Sequence, residues 1–217
     1  MKIIRNTNLE QLPCVVTIGN FDGVHLGHQA LLTEVKKRAH DLKLESAVIT
    51  FEPNPKDYFS QNKPQTRISS LREKIELFNK IKIDRVHIIK FNQEFSKVTA
   101  NEFISVLIKQ LKVKEIVVGE DFCFGRGREG SIKQLSASSM KLNIKNKILM
   151  DGKRISSTLI RNLLANDKLD EANKYIGRPY SISGKVVHGE KRGRKIGFPT
   201  ANIHMRHNRP PLKGVFA

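Results

Sequence analysis

The sequence contains no tryptophan and only two cysteines, Cys14 and Cys123, in 217 residues. Because neither cysteine has a second one close by, the sequence predicts no disulfide framework, no cysteine-ligated metal site and no oxidising compartment. No apolar stretch approaches the roughly 20 residues that a membrane-spanning helix needs. Residues 1–10 also lack the apolar segment of a secretory signal. We therefore expect a cytoplasmic protein that has no membrane partner.

Acidic residues are also few, since 21 Asp and Glu stand against 39 Lys and Arg and give a formal net charge of +18. Such an excess is compatible with a nucleic-acid-binding protein, with an enzyme for polyphosphate substrates, or with a lysine-rich composition whose side chains are merely solvated. The basic residues are spread along the chain rather than gathered in blocks, which disfavours a nucleic-acid partner. The charge alone leaves the other two explanations open.

Short β-branched segments alternate with helical patterns over most of the chain. The predicted strands cover residues 14–19, 45–51, 85–90, 115–119 and 146–150. Residues 28–42 carry a helical apolar stripe, and two further helices are predicted after Ser70 and Thr99, each followed three residues later by a Glu that can complete a capping box. This alternation predicts an α/β fold with a parallel sheet and helices on both faces.

The pattern changes close to residue 177. From Tyr180 onwards the chain is rich in Gly and β-branched residues and has no helical period, which predicts β structure with long turns. We therefore divide the chain into a first domain of residues 1–177 and a β segment of residues 178–217.

The segment GNFDGVHLGH, residues 19–28, follows the first predicted strand and leads into the first helix. Unpaired backbone N–H groups and the helix dipole make such a place attractive to phosphate. His25 and His28 can point into one pocket there and stabilise negative charge, either as imidazolium or as neutral N–H donors. Two alternatives stay open: the histidines could hold a metal, although no third ligand is adjacent, or one of them could cap the helix.

A second polar segment, ISSTLIR, covers residues 155–161. Ser156 or Ser157 suits a helix N-cap, and the hydroxyl groups and Arg161 would then face a polyphosphate that the guanidinium can bind bidentately. Taken alone, the segment is equally typical of an ordinary capped surface helix.

A GxGxxG pattern at Gly125, Gly127 and Gly130 has an acidic residue, Asp151, about 20 residues later, as a dinucleotide site requires. However, its first glycine does not directly follow the strand predicted at 115–119, and the pattern belongs to the fourth strand rather than the first. We therefore expect no NAD(P) binding at this pattern. The sequence has no P-loop motif either.

Together, the segments 19–28 and 155–161 resemble the two signatures of the HxGH nucleotidyltransferases. The first segment, taken in full, resembles the version found in the FAD synthetase family, which has a Rossmann-like fold. Segments 51–55 (FEPNP) and 119–125 (GEDFCFG) are similar to further loops of that family. Residues 184–202 resemble the beginning of the riboflavin kinase module, a small β-barrel that is fused to this enzyme in bacteria.

The resemblance implies transfer of AMP from ATP to FMN, with Mg²⁺ bridging the phosphates. It implies catalytic roles for His25, His28 and Arg161. The ATP-binding residues that it implies are Gly19, Asn20, Phe21, Asp22, Gly27, Ser156, Ser157 and Thr158. The flavin-binding residues that it implies are Pro53, Asp121, Phe122 and Phe124, although both phenylalanines are equally compatible with the core. The nucleotide- and metal-binding residues implied for the kinase module are Gly193, Gly197, Thr200 and Asn202, the last two on Mg²⁺.

The kinase part of the resemblance is incomplete. The family's barrel is longer than residues 178–217, and its later acidic general base has no counterpart among them. We therefore expect this chain to adenylylate FMN but not to phosphorylate riboflavin. The alternatives are another HxGH nucleotidyltransferase with a different phosphate acceptor, and a basic nucleic-acid-binding protein. No pattern in the sequence specifies an oligomeric state.

Overall fold

A computed structural model describes residues 1–5, 11–60, 65–187, 197, 201–205 and 210–212. At its centre is a parallel sheet of six strands. In chain order these are β1 Lys2–Ile4, β2 Cys14–Ile18, β3 Glu45–Glu52, β4 Arg85–Lys90, β5 Val113–Gly119 and β6 Lys141–Lys145. Their spatial order is β1-β4-β3-β2-β5-β6, and every neighbouring pair is parallel. The predicted α/β fold with a parallel sheet is therefore confirmed.

The helices connect the strands and cover both faces of the sheet. They are α1 Leu26–Leu42, α2 Pro55–Phe59, α3 Leu71–Lys80, α4 Gln93–Ser96, α5 Ala100–Ser105, α6 Ile132–Ser136, α7 Ser157–Ala165 and α8 Leu169–Ile176. A π-helical turn, Val106–Gln110, continues α5, and a 3₁₀ turn covers Arg126–Arg128. Both predicted capping boxes are present, at Ser70 with Glu73 and at Thr99 with Glu102. None of the helices in the described ranges is long and apolar enough to cross a membrane.

Alternate residues of the central strands enter hydrophobic clusters on opposite faces of the sheet. Ile49 of β3 packs in one cluster with Phe103 of α5, whereas its neighbour Val48 packs in the other with Phe78 of α3. Because both faces are covered, the central strands are buried along almost their whole length, as parallel sheets usually are.

The prediction of a strand at residues 146–150 is only partly right, because only residues 149–150 form a strand and they do not join the parallel sheet. The sixth strand of the sheet is β6, which pairs with β5 from Glu115↔Lys141 to Gly119↔Lys145. Its sequence, KLNIK, alternates polar and apolar residues on an exposed edge and lacks the apolar run of a buried strand. Leu149–Met150 (β7) instead forms a short antiparallel hairpin with Lys153–Arg154 (β8). Strand β1 was not predicted, because three residues on a largely exposed edge carry almost no periodic signal.

The chain beyond α8 forms a second antiparallel pair, β9 Lys185–Val187 with β10 Asn202–His204. Gly177 ends α8 in the left-handed conformation, with φ 78°. The domain division at 177 and the small β-barrel remain predictions.

Candidate active site

The loop between β2 and α1, residues 19–25, lies where the carboxyl end of the sheet meets the start of a 17-residue helix. Its backbone is tightly wound, since Phe21, Gly23 and Val24 have φ values of 51°, 80° and 39°. A Cβ at Gly23 would lie 2.9 Å from Ile68 Cγ2, so both conformation and space require glycine there. The loop therefore holds one defined shape against the segment that precedes α3.

Asp22 joins this loop to the second predicted signature. Its buried carboxylate accepts hydrogen bonds from the backbone N–H groups of Ile68 (3.0 Å) and Ser69 (3.1 Å) and pairs with Arg161 Nη1 at 2.7 Å. Ser157 Oγ donates to the carbonyl oxygen of Asp22 at 2.9 Å. The structure thus brings the segments 19–28 and 155–161 into direct contact, although they are far apart in the sequence.

The two histidines lie side by side at the start of α1. His25 is the N-cap, and its Nδ1 accepts from the backbone N–H of His28 at 3.3 Å. The two rings stack with centroids 3.6 Å apart and planes inclined by 18°. A Cβ at Gly27 would lie 3.2 Å from the His25 ring, so Gly27 makes room for that ring. The capping interpretation is therefore confirmed for His25, and its ring lies against that of His28.

Both imidazoles are neutral near pH 7. Burial, and then the positive charges of Arg154, Arg161 and Arg178, lower the pKa of His25 to about 4. Burial, followed by charge on His25 and Lys74, holds the pKa of His28 well below its usual value. Because His25 Nδ1 accepts a hydrogen bond, the proton of its neutral ring lies on Nε2. His25 therefore presents an N–H donor at that atom without carrying a charge.

Two buried polar atoms, one in the loop and one at the start of α1, have no hydrogen-bond partner in the described part of the chain. They are Asn20 Oδ1 and His28 Nδ1. Buried polar atoms are nearly always satisfied in folded proteins, so such atoms in a cleft are places where a polar ligand would bind. Both belong to the segment in which we predicted phosphate binding.

Lys74 is a site residue that sequence reasoning missed. It lies on α3 and is buried, and its ammonium donates to the Asn20 carbonyl at 3.0 Å and lies 3.5 Å from Thr50 Oγ1. Burial lowers the pKa of Lys74. The available signal was its position three residues after Leu71 and four before Phe78, on the apolar stripe of the helix. A buried lysine side chain thus contacts the backbone of the loop.

A cavity of about 610 Å³ adjoins the loop and shares Gly19 and Asn20 with it. Seven of the described residues that line it are phenylalanines, namely Phe51, Phe59, Phe91, Phe95, Phe103, Phe122 and Phe124. The rings of Phe122 and Phe124 stack with centroids 5.6 Å apart. Phe124 is also part of the buried core, so it is a wall and a core residue at once.

The other predicted flavin residues differ in how they relate to this cavity. Asp121 lines it, but its carboxylate is paired with Lys147 and Arg154. Among the described lining residues, Pro55 rather than Pro53 faces the cavity.

The remaining predicted site residues of the first domain lie in or next to α7. Ser156 is the N-cap and accepts from the backbone N–H of Leu159 at 3.2 Å, whereas Thr158 is exposed in the first turn. Arg161 is buried, and in the described part of the chain its Nε and Nη2 form no hydrogen bond, so these donors stay available to a ligand.

The predicted kinase residues are only partly covered by the structure. Gly193 and Thr200 lie outside the described residues. Gly197 is exposed with φ 83°, and Asn202 is exposed at the start of β10. Within the described ranges, no three His, Cys, Asp or Glu side chains are grouped so that they could hold a metal ion.

Comparison with known proteins gives matches over the whole chain. Residues 7–159 match the family described as FAD synthetase, and residues 176–217 match riboflavin kinase. The bifunctional riboflavin kinase/FMN adenylyltransferase of Haemophilus influenzae is 43% identical over 225 residues, with 100% of this chain and 73% of the relative covered. The protein of the same description from Escherichia coli K12 is 44% identical over 226 residues, covering 100% and 72%. A solved structure from Streptococcus pneumoniae, described as a macrolide-efflux protein, aligns with a TM-score of 0.83 at 30% identity over 99% of this chain and 73% of that one.

Proposed function

This chain belongs to the FAD synthetase family, and from that premise we propose that its site joins ATP and FMN through the residues around His25 and His28. It has the α/β nucleotidyltransferase fold and carries an FAD synthetase domain and part of a riboflavin kinase domain. The observation that carries the proposal is the stacked, neutral histidine pair at the start of α1, next to an aromatic cavity of about 610 Å³. That volume is in the range of small-molecule sites.

In this arrangement the triphosphate of ATP would cross the start of α1, and the flavin ring would occupy the aromatic cavity. The shared residues Gly19 and Asn20 would then bring the FMN phosphate close to the α-phosphate of ATP. Arg161 Nε and Nη2, with Ser157 and Thr158, would contact the β- and γ-phosphates. The phenylalanine walls suit a flat, apolar isoalloxazine ring.

The chemistry is a displacement at phosphorus. An oxygen of the FMN phosphate forms a bond to the α-phosphorus of ATP, and the bond from that phosphorus to the bridging oxygen of the β-phosphate breaks. Pyrophosphate leaves with the electron pair, so no covalent protein nucleophile is needed. His25 Nε2–H would donate a hydrogen bond to the charge that develops around the α-phosphate, and His28 would do the same from the adjacent ring. Because both rings are neutral, this stabilisation needs no protonation step near pH 7.

Mg²⁺ is implied by the resemblance, but the described residues do not form a built site for it. The carboxylate of Asp22, in the loop itself, is already engaged by Ile68, Ser69 and Arg161. The ion would therefore enter with the phosphates of ATP, and we assign no step to it. The cytoplasm, where ATP is abundant, is the expected location.

An acceptor panel tests this function. The purified chain, supplied with ATP and Mg²⁺, is offered FMN and, in parallel, other phosphate-bearing acceptors such as nicotinate mononucleotide and 4′-phosphopantetheine. We expect FAD and equimolar pyrophosphate from FMN alone. Pyrophosphate release with another acceptor and none with FMN would assign the chain to a different HxGH reaction.

Nucleic-acid binding is tested by a salt series, because affinity for a phosphate backbone falls steeply as salt rises.

A further inference from the structure

The connector between α8 and β9, residues 177–184, lies against the histidine-bearing loop of the first domain. Arg178 Nη2 donates to the carbonyl oxygen of Gly23 at 2.8 Å, and Nη1 donates to that of Val24 at 3.2 Å. Gly177 packs so closely on α1 that an added Cβ would lie 2.4 Å from Leu26 Cδ2. The chain leaving α8 therefore contacts the backbone that immediately precedes His25.

Further hydrogen bonds hold the connector at both ends. Gln29 Nε2 donates to the carbonyl oxygens of Val24 (2.9 Å) and Ile176 (2.8 Å), and so links the loop to the end of α8. At the other end, Ser183 donates through its N–H and its hydroxyl to Glu73 Oε1, at 2.8 and 2.7 Å. Glu73 also completes the capping box of α3. The connector is thus anchored on α1, which follows the loop, and on α3, whose preceding segment packs against the loop.

The loop needs such support because its backbone is unusual. Val24 is β-branched and buried, yet it has φ 39°, a conformation that such residues rarely adopt and that surrounding contacts must hold in place. The carbonyl groups of Gly23 and Val24 also need donors. Arg178 supplies the donor to Gly23 and a second donor to Val24, whose carbonyl also accepts from Gln29. Arg178 forms no ion pair with any described residue, so its hydrogen bonds serve the loop rather than a carboxylate.

We propose that Arg178 is a positioning residue for adenylyl transfer: by bonding the Gly23 and Val24 carbonyls it fixes the loop from which His25 acts. This inference rests on the proposed function. Sequence reasoning assigned the first residues after the predicted division at 177 to the β segment. The inference makes them a functional part of the first domain's site instead.

The test uses Arg178→Ala in the full chain, with Arg72→Ala as the matched control. Arg72 is exposed on α3 and pairs with Glu76 of the same helix. In FAD synthesis assays we expect Arg178→Ala to lower kcat/KM for ATP by about tenfold or more, since small displacements of reacting groups cost up to ~100-fold. The KM for FMN should stay within twofold, and Arg72→Ala should match the parent. Arg178→Lys, which keeps a donor, should recover part of the loss.

Two readouts are independent of turnover. Amide hydrogen exchange across residues 21–28 should accelerate in Arg178→Ala only, and calorimetric titration with ATP and Mg²⁺, without FMN, should show weaker binding. Exchange and ATP affinity equal to the parent's, with kcat/KM within twofold, would overturn the inference. If the parent binds ATP but makes no FAD, the proposed function fails, while exchange and ATP affinity still decide the role of Arg178. If Arg178→Ala does not fold, Arg178→Lys decides: parental kcat/KM and exchange overturn the inference, and a loss confined to ATP supports it.

Discussion

His87 offers a quantitative test of how the sheet responds to acid. It lies in the middle of β4, opposite Ile49 of β3 and Ile4 of β1, and is buried. Neither of its ring nitrogens has a hydrogen-bond partner in the described part of the chain. Burial, and then the neighbouring charge of Arg85, lower the pKa of His87 from 6.5 to about 4. The ring therefore stays neutral in the folded state while it can protonate in the unfolded chain.

The direction of the pH effect follows from this difference. Between pH 6.5 and about 4 the unfolded state binds more protons at His87 than the folded state does, so the free energy of unfolding falls as the pH falls. Well above pH 6.5 the ring is neutral in both states, so His87 no longer lowers the free energy of unfolding there. With one pKa unit equivalent to about 1.4 kcal/mol, the loss from His87 alone reaches about 2 kcal/mol at pH 5. For a chain of this length that is a melting-temperature difference of roughly 4–8 °C.

The substitution His87→Leu removes this group and leaves no unpartnered nitrogen in the sheet. We expect His87→Leu to be at least as stable as the parent at pH 7.5, and to lose about 2 kcal/mol less on going to pH 5. Urea unfolding at both pH values measures the difference. His40→Leu, at an exposed position on α1, is the control and should keep the parent's pH dependence. Equal losses in the parent and His87→Leu would refute the reasoning.

Three further predictions concern the site. His28→Ala should lower kcat for FAD synthesis by about 100-fold while the exposed control His40→Ala keeps the parent rate; turnover within twofold of the parent would exclude the assigned role. Arg161→Lys should raise the KM for ATP or lower kcat by roughly tenfold, because an ammonium cannot bind phosphate bidentately, and unchanged ATP kinetics would argue against phosphate contact. Phe122→Ala should raise the KM for FMN several-fold and leave that for ATP unchanged, which steady-state titration of each substrate would check.

Much of the fold was predictable because its signals are local. The buried strands β2 and β3 contain apolar runs, and the capping boxes at Ser70 and Thr99 are fixed by two residues each. The errors occurred where burial is weak. The edge strand β6 is half polar, and its place was given to the more apolar segment 146–150, of which only Leu149–Met150 forms a strand, in a hairpin.

The site was predictable as far as its two sequence signatures reach. The pairing of His25 with His28 follows from their spacing at a helix start, but their stacking and their neutral state depend on burial that only the fold supplies. Lys74 and Arg178 escaped prediction because each acts on backbone carbonyls of a loop that is distant in the sequence. Such contacts leave no pattern in the neighbouring residues.

The central claim is that AMP passes from ATP to FMN at the histidine pair, and label transfer tests it most directly. The purified chain is incubated with FMN, Mg²⁺ and ATP labelled in the α-phosphate or, separately, in the γ-phosphate. We predict that the α-label appears in FAD and the γ-label in pyrophosphate, and that His25→Ala loses both products together. Label from the γ-phosphate in the flavin product, or parental label transfer in His25→Ala, would contradict the account.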